Sequence, residues 1–206
     1  MIFAGFFAGA LFLGLILGDW LYFMRRTPDA SRYGCGIARV QDRFTHTTMT
    51  ELAGRFDAGG LLILPHGTAR LHQDLNQIVI RQHYRLFAVG FRTLWPLKGL
   101  ISLSPEADAL AVLCRKLTPW SSALLTGIWF VVVAVGMVGA LISLFIEGQL
   151  AASGGVVLAI GIVGLGVVFL LSGAITVVFA YRLESSRLMT VYQELRVVLE
   201  GARLPS

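Results

Sequence analysis

Three stretches of this chain carry no charged residue: Ile2–Gly18, Thr118–Ile146 and Gly148–Tyr181. Each can supply the ~20 apolar residues that a helix needs to cross the hydrocarbon core of a bilayer. No other feature narrows the fold as sharply, because an uncharged run of that length cannot tile a water-facing surface. The composition agrees: 56% of the 206 residues are hydrophobic and 14% are charged, against roughly 25% charged in an ordinary soluble domain. The expected fold class is an α-helical integral membrane protein with three transmembrane helices and a small α+β domain inserted between helices 1 and 2. The boundaries expected are 1–24 for the first helix, 25–118 for the inserted domain and 119–146 for the second helix. A link at 147–154, a third helix at 155–181 and an amphipathic tail helix at 182–206 complete the chain.

The first run reads as a retained anchor rather than an export signal. A secretory signal places positive charge ahead of its apolar core and small residues at a cleavage site. Here Arg25 and Arg26 follow the core, and Trp20, Tyr22 and Phe23 stand where small residues belong. Of the seventeen Lys and Arg, thirteen lie in 25–118 and four lie after Tyr181, with none at the N-terminus or in the 147–154 link. Positive charge stays on the cytoplasmic side. The expectation is therefore N-terminus out, C-terminus in, a cytoplasmic inserted domain and an inner (cytoplasmic) membrane. Trp20, Tyr22, Trp120 and Tyr181 mark the cytoplasmic ends of the spans, where amphipathic rings prefer to lie.

Small residues form stripes along the spans. Gly5-xxx-Gly9 and Gly14-xxx-Gly18 match the spacing that lets helix backbones approach closely in lipid. Ala159, Gly166 and Gly173 stand seven apart in the third span, and the second has Gly136, Gly139, Ala140 and Ser143. Either these faces pack the protein's own helices or at least one docks a helix of another protein. Asp19 is the one ionisable residue in a span, and it reads as an interfacial acid paired with Arg25 and Arg26.

Within 25–118, "RYGCGIARVQDRF" places Gly34 and Gly36 before a strand-like run. Thr48 and Glu51 fit a capping box opening a helix through Phe56. "LLILPHGTARL" reads as strand, turn and strand. "NQIVIRQHYRLFAVGF" alternates, putting Ile78, Ile80, Tyr84 and Leu86 on one face and Arg81, His83 and Arg85 on the other, with a bend at Gly90. "LWPLKG" reads as a loop and "LISLS" as the last strand. Ser104-Pro105 then suits the start of an amphipathic helix 105–117 carrying Leu110, Leu113, Cys114 and Leu117. In the tail, Leu188, Val191 or Tyr192, Leu195 and Leu199 recur at helical spacing and Gly201 suits a stop.

Reactive constellations are missing. His46, His66, His72 and His83 show no HExxH or HxxxH spacing and no CxxC companion, so no metal and no cofactor is expected. Cys35 and Cys114 read as free thiols of a reducing compartment. There is no GxSxG, SxxK or phosphate-cradling glycine loop. The best candidate surface is basic: Arg81, His83 and Arg85, with Arg92 and Lys98 downstream, placed to meet anionic lipid or acidic residues of a partner at about 1 kcal/mol per basic residue. Nucleic acid is not an expected partner, because the aromatics alternate away from the arginines.

These features predict a non-catalytic accessory, assembly or scaffold subunit of a larger bacterial-type inner-membrane complex, whose partners are other integral membrane subunits and anionic lipids. The order of elements (one span, a cytoplasmic loop, two spans joined by a short outer link, a cytoplasmic tail) resembles that of the TolQ/ExbB/MotA proton-channel family. The resemblance is one of topology and implies a transport or motor component, with Thr126, Ser172 and Thr176 as the polar groups of a path. The strand-rich loop departs from that family's helical one. A membrane-bound enzyme using the loop histidines is a third expectation.

Overall fold

The structure, a computed structural model, describes residues 2–45, 48–83, 95–105, 109–151 and 154–201. Three helices are long and apolar enough to cross a membrane: α1 (Ile2–Met24), α4 (Trp120–Ile146) and α5 (Gly155–Leu199). Between α1 and α4 lie two short helices, α2 (Pro28–Arg32) and α3 (Met49–Gly54). The strands are β1 (Cys35–Thr45), β2 (Leu61–Ile63), β3 (Gly67–His72), β4 (Gln77–Gln82), β5 (Lys98–Pro105) and β6 (Ala109–Thr118). The chain divides into two compact units, Met1–Ser121 with Arg182–Ser206, and Ser122–Tyr181.

In the second unit, glycine is what lets α4 and α5 approach. A Cβ at Gly173 would stand 2.2 Å from the Trp129 ring, and one at Gly166 would stand 2.5 Å from Met137 Sδ. Each glycine therefore leaves the space that a bulky side chain of the facing helix fills, the small-residue packing expected where lipid supplies no hydrophobic drive. The outer sides of both helices carry exposed Val131, Val135, Val157 and Ile175. Thr126 and Thr176 turn their hydroxyls back onto the carbonyls of Ser122 and Ser172, at 2.7 and 2.8 Å.

The first unit is built on a six-stranded antiparallel sheet in the order β1-β6-β5-β4-β3-β2. Strands β2 to β6 follow one another as a meander, and β1 closes on β6. One face is apolar: Phe44, Ala69, Leu71, Ile78, Ile80, Ile101, Leu103, Leu110, Val112 and Cys114 are buried there. The last turns of α5 cover that face through Leu188, Val191, Tyr192, Leu195 and Leu199, all buried at the helical spacing read from the sequence. Gly67 shows how close the cover comes, since a Cβ there would lie 2.3 Å from the Arg81 carbonyl and 2.7 Å from Val191. Polar groups fix the register of helix on sheet. The Tyr192 hydroxyl donates to Asp42 at 2.9 Å and Lys116 Nζ donates to the Ser185 hydroxyl at 2.7 Å. Gln82 donates to the Glu184 carbonyl at 3.1 Å.

The other face meets the end of α1. Phe23 is fully buried with Val79, Leu100 and Leu117, and Met24 and Tyr33 pack beside them. Gly34, at φ +130°, carries the chain from α2 into β1, where a side chain would strike the Thr118 carbonyl at 2.8 Å.

Several local expectations are met. The capping box at Thr48 and Glu51 is formed, and Leu64-Pro-His-Gly67 turns β2 into β3. Others are corrected. Residues 109–118 form strand β6, not the expected helix 105–117. Leu110, Leu113, Cys114 and Leu117 fit a helical stripe, but the segment is held by ladders to β1 on one side and β5 on the other. Ser104 and Pro105 end β5 instead of opening a helix. "LISLS" is thus not the last strand, and β5 begins earlier, at Lys98, inside the expected loop. Asp19 does not pair with Arg25 or Arg26. Six and seven residues along a helix are not neighbouring positions, and its carboxylate accepts from the Tyr33 hydroxyl and from the Ser121 backbone N–H at 2.9 Å. It also accepts from the Ser121 hydroxyl, so it serves donors left open at the first turn of α4. Tyr84, Arg85, Leu86, Gly90 and Arg92 lie outside the described residues, as does His46.

Candidate functional site

The face of the sheet turned toward α1 and α2 is where the cations gather. Antiparallel register and the two-residue strand period put Arg39, Arg43, Arg70, Arg81, Lys98 and Arg115 on this one side. The acid carried by the described strands, Asp42, points to the opposite face, where it meets Tyr192 and pairs with Arg196 at 3.3 Å.

Two of these cations are consumed by the junction with α1. Arg81 donates to the carbonyls of Phe23, Met24 and Arg25, the last at 2.6 Å. Those carbonyls lack helical partners at the end of α1, and a guanidinium there suits the negative end of the helix. Lys98, directly across from Arg81 in the ladder, is 1% exposed. Its Nζ donates to the Ala30 carbonyl at 2.6 Å and lies 4.1 Å from the centre of the Phe23 ring. Burial, and secondarily the charge of Arg81, pushes its ammonium down to about 7. Of the basic surface read from the sequence, then, Lys98 and Arg81 are turned inward. His83 stays exposed, with Nε2 3.1 Å from the Leu64 carbonyl.

The other histidines part company. His66 contacts the buried carboxylate of Glu194 through Nδ1, and its backbone N–H donates to the same carboxylate at 3.1 Å. His72 is half-buried beside Arg70, and burial, with the charges of Arg70 and Arg81, depresses its pKa. Among the described residues no three His, Cys, Asp or Glu side chains come together as a metal would require. Cys114 is buried against the α5 tail and its thiol is pushed up to about 11 by that burial. Cys35 is half-buried, at the start of β1.

What remains open on this face is a groove of about 780 Å³ lined by Arg32, Arg39, Arg115, Gln77, Ser102 and Leu100. Arg39 and Arg115 are directly opposed across the β1–β6 ladder. Arg32 reaches in from α2 and donates through Nε to Gln77 Oε1 at 3.1 Å. Sequence reading had no such trio. Arg115 falls within the expected helix 105–117, and Arg39 faces it just beyond the bulge at Ile37 of β1.

The helix-packing positions separate as well. Gly166 and Gly173 are filled by partners inside their unit, whereas nothing within α1's own unit lies within 4 Å of a Cβ built at Gly5, Gly9, Gly14 or Gly18. Ala159 is half-buried. The chain matches no family model, no curated protein and no solved structure.

Proposed function

We propose that this chain is a non-catalytic membrane subunit that joins a larger assembly through the glycine pairs of α1 and presents its sheet domain at the cytoplasmic surface. One contrast carries the reading. Two glycines of α5 are occupied by Trp129 and Met137, while the pairs Gly5–Gly9 and Gly14–Gly18, each at the four-residue close-packing spacing, have nothing of their own unit against them. Exposed Phe6, Phe7, Leu15 and Leu17 share that helix, and apolar surface of this extent calls for lipid or protein cover. In lipid, a pair of glycines four apart is filled by another helix rather than by acyl chains, because close backbone approach is what it offers. The occupant we assign is a transmembrane helix of a partner subunit with small residues of its own. The basic bias of 25–118 and the tail supports a cytoplasmic sheet domain.

Photo-crosslinking from position 13, one turn from Gly9, in native membranes tests this. A discrete protein adduct that disappears in a Gly9→Leu variant is expected. Lipid adducts alone, with a chain that runs as a monomer of 22.4 kDa from native membranes, would rule the assembly role out. Impermeant thiol labelling of Gln149→Cys from the outer side, with a C-terminal tag protected, checks the orientation.

A further inference from the structure

We propose that the groove bounded by Arg32, Arg39 and Arg115 binds a phosphate group. The first observation is an unneutralised pair. Arg39 and Arg115 occupy directly opposite positions of the β1–β6 ladder and both are exposed. Like charges so placed oppose sheet formation, and among the described residues neither has an ion-pair partner. The pair is therefore held at a cost to the fold, and an anion between the two guanidinium groups removes that cost.

The second observation is how Arg39 comes to be there. Gly36 pairs with Leu117 and Ala38 with Lys116, leaving Ile37 bulged. Were the ladder to run on unbroken from Gly36, with Ile37 paired, Arg39 would stand opposite Cys114, on the face sealed by α5, since a one-residue slip exchanges the two faces of a strand. The bulge turns the guanidinium out of the core and into the groove, which is how bulges re-aim side chains beside binding sites.

Arg32 completes the set from a third direction. Its Nε is committed to Gln77 Oε1 at 3.1 Å, which orients the guanidinium and leaves its terminal amines available. A carboxylate is satisfied by one guanidinium fork. Three guanidinium forks lining one groove match the larger charge and the several oxygens of a phosphate. Leu100 and Leu117 line the same groove and Ser102 adds a hydroxyl, so charge-assisted bonds form against a partly apolar floor that strengthens them.

Two sources supply this chemistry. One is a soluble phosphate or phosphate ester, since the groove is open. The other is a phospholipid headgroup: from Arg115, strand β6 runs only to Thr118 before α4 begins at Trp120, about 10 Å of extended chain. The headgroup arm rests on the membrane reading above, whereas the phosphate chemistry of the groove does not.

The test uses the full chain in nanodiscs of pure phosphatidylcholine and of phosphatidylcholine with phosphatidylglycerol. Inorganic phosphate is titrated into the neutral discs by calorimetry, and retained phosphatidylglycerol is counted by native mass spectrometry. Phosphate binding in neutral discs identifies a soluble source, and retention of phosphatidylglycerol alone identifies the headgroup. In either case Arg39→Gln and Arg115→Gln each weaken binding about tenfold, as expected for loss of one charge-assisted contact. Arg55→Gln, an equal loss of charge at the end of α3, leaves binding unchanged. Arg115→Lys retains charge but loses the fork, and falls between. Protection of Cys114 from thiol reagents confirms that each variant is folded. Binding of neither probe, or binding indifferent to Arg39 and Arg115, would overturn the proposal. Failure of the α1 crosslink would leave it standing, so the two readings fail separately.

Discussion

The two faces of the sheet are made by the same six strands and are chemical opposites. The face under α5 is a continuous apolar surface, crossed by Lys116 and Asp42, which are answered by Ser185 and by Tyr192 and Arg196. The face toward α1 alternates leucine and valine with six cations, and among the described residues Phe23, Met24 and Tyr33 cover one part of it while the Ala30 carbonyl of α2 caps Lys98. Buried apolar area is therefore concentrated on one side, while Arg39 and Arg115 stand exposed on the other. Truncation tests this division most severely. Leu195→Ala, at a fully buried position beneath the sheet, is expected to cost about 2–5 kcal/mol in denaturant unfolding. Ile37→Ala, at the half-exposed bulge of β1, is expected to cost less than about 0.5 kcal/mol. Equal losses would erase the distinction between the faces.

Lys98 marks the boundary between the covered and open parts of the basic face, and it gives a pH-dependent test. The unfolded lysine keeps its proton up to an ordinary value of 10.5, while in the fold burial lowers this to about 7. Below pH 7 both states are protonated and the fold bears the whole cost of the buried charge. Above pH 7 the unfolded state binds more protons, so stability rises with pH, by up to about 1.4 kcal/mol per unit. The window is cleanest between pH 7 and 9. At higher pH, Cys114, raised to about 11, and Tyr33, raised to about 12 mainly by its hydrogen bond to Asp19, act in the opposite sense. Unfolding midpoints at pH 7, 8 and 9 should climb for the native chain and stay level for Lys98→Met. A level native profile would mean that the ammonium is hydrated, and that the cover provided by α1 and α2 is looser than its hydrogen bond to Ala30 implies.

How much of this was legible in the sequence depends on how local the deciding interaction is. The capping box of Thr48 and Glu51 spans three residues and was readable. So were the tail stripe of Leu188, Leu195 and Leu199 and the three apolar helices, because period and composition are properties of the segment itself. Strand β6 was not. Its flanks are both partly buried between β1 and β5, so its apolar residues do not simply alternate, and their spacing fits a helix equally well. The groove was further out of reach. Arg39 and Arg115 are 76 positions apart by their numbering, and their opposition depends on the register of the β1–β6 ladder, which no local motif announces. Lys98 looked like a surface cation because the carbonyl that captures it belongs to α2.

The smallest expected effect is also the one that separates the faces by sign. On the sealed face every truncation should destabilise. On the open face, removing one member of the Arg39–Arg115 pair relieves a like-charge contact worth a few tenths of a kcal/mol up to about 1 kcal/mol. In neutral nanodiscs without phosphate, Arg115→Gln should therefore unfold at a slightly higher midpoint than the native chain. The gain should shrink as salt is raised, since exposed charges are screened over about 10 Å at 0.1 M ionic strength. With phosphate or phosphatidylglycerol present the order should reverse, because the native chain alone gains from the bound anion. A variant that is less stable under every condition would place Arg115 among the structural cations, beside Arg81, and would leave the opposed pair without a ligand to account for it.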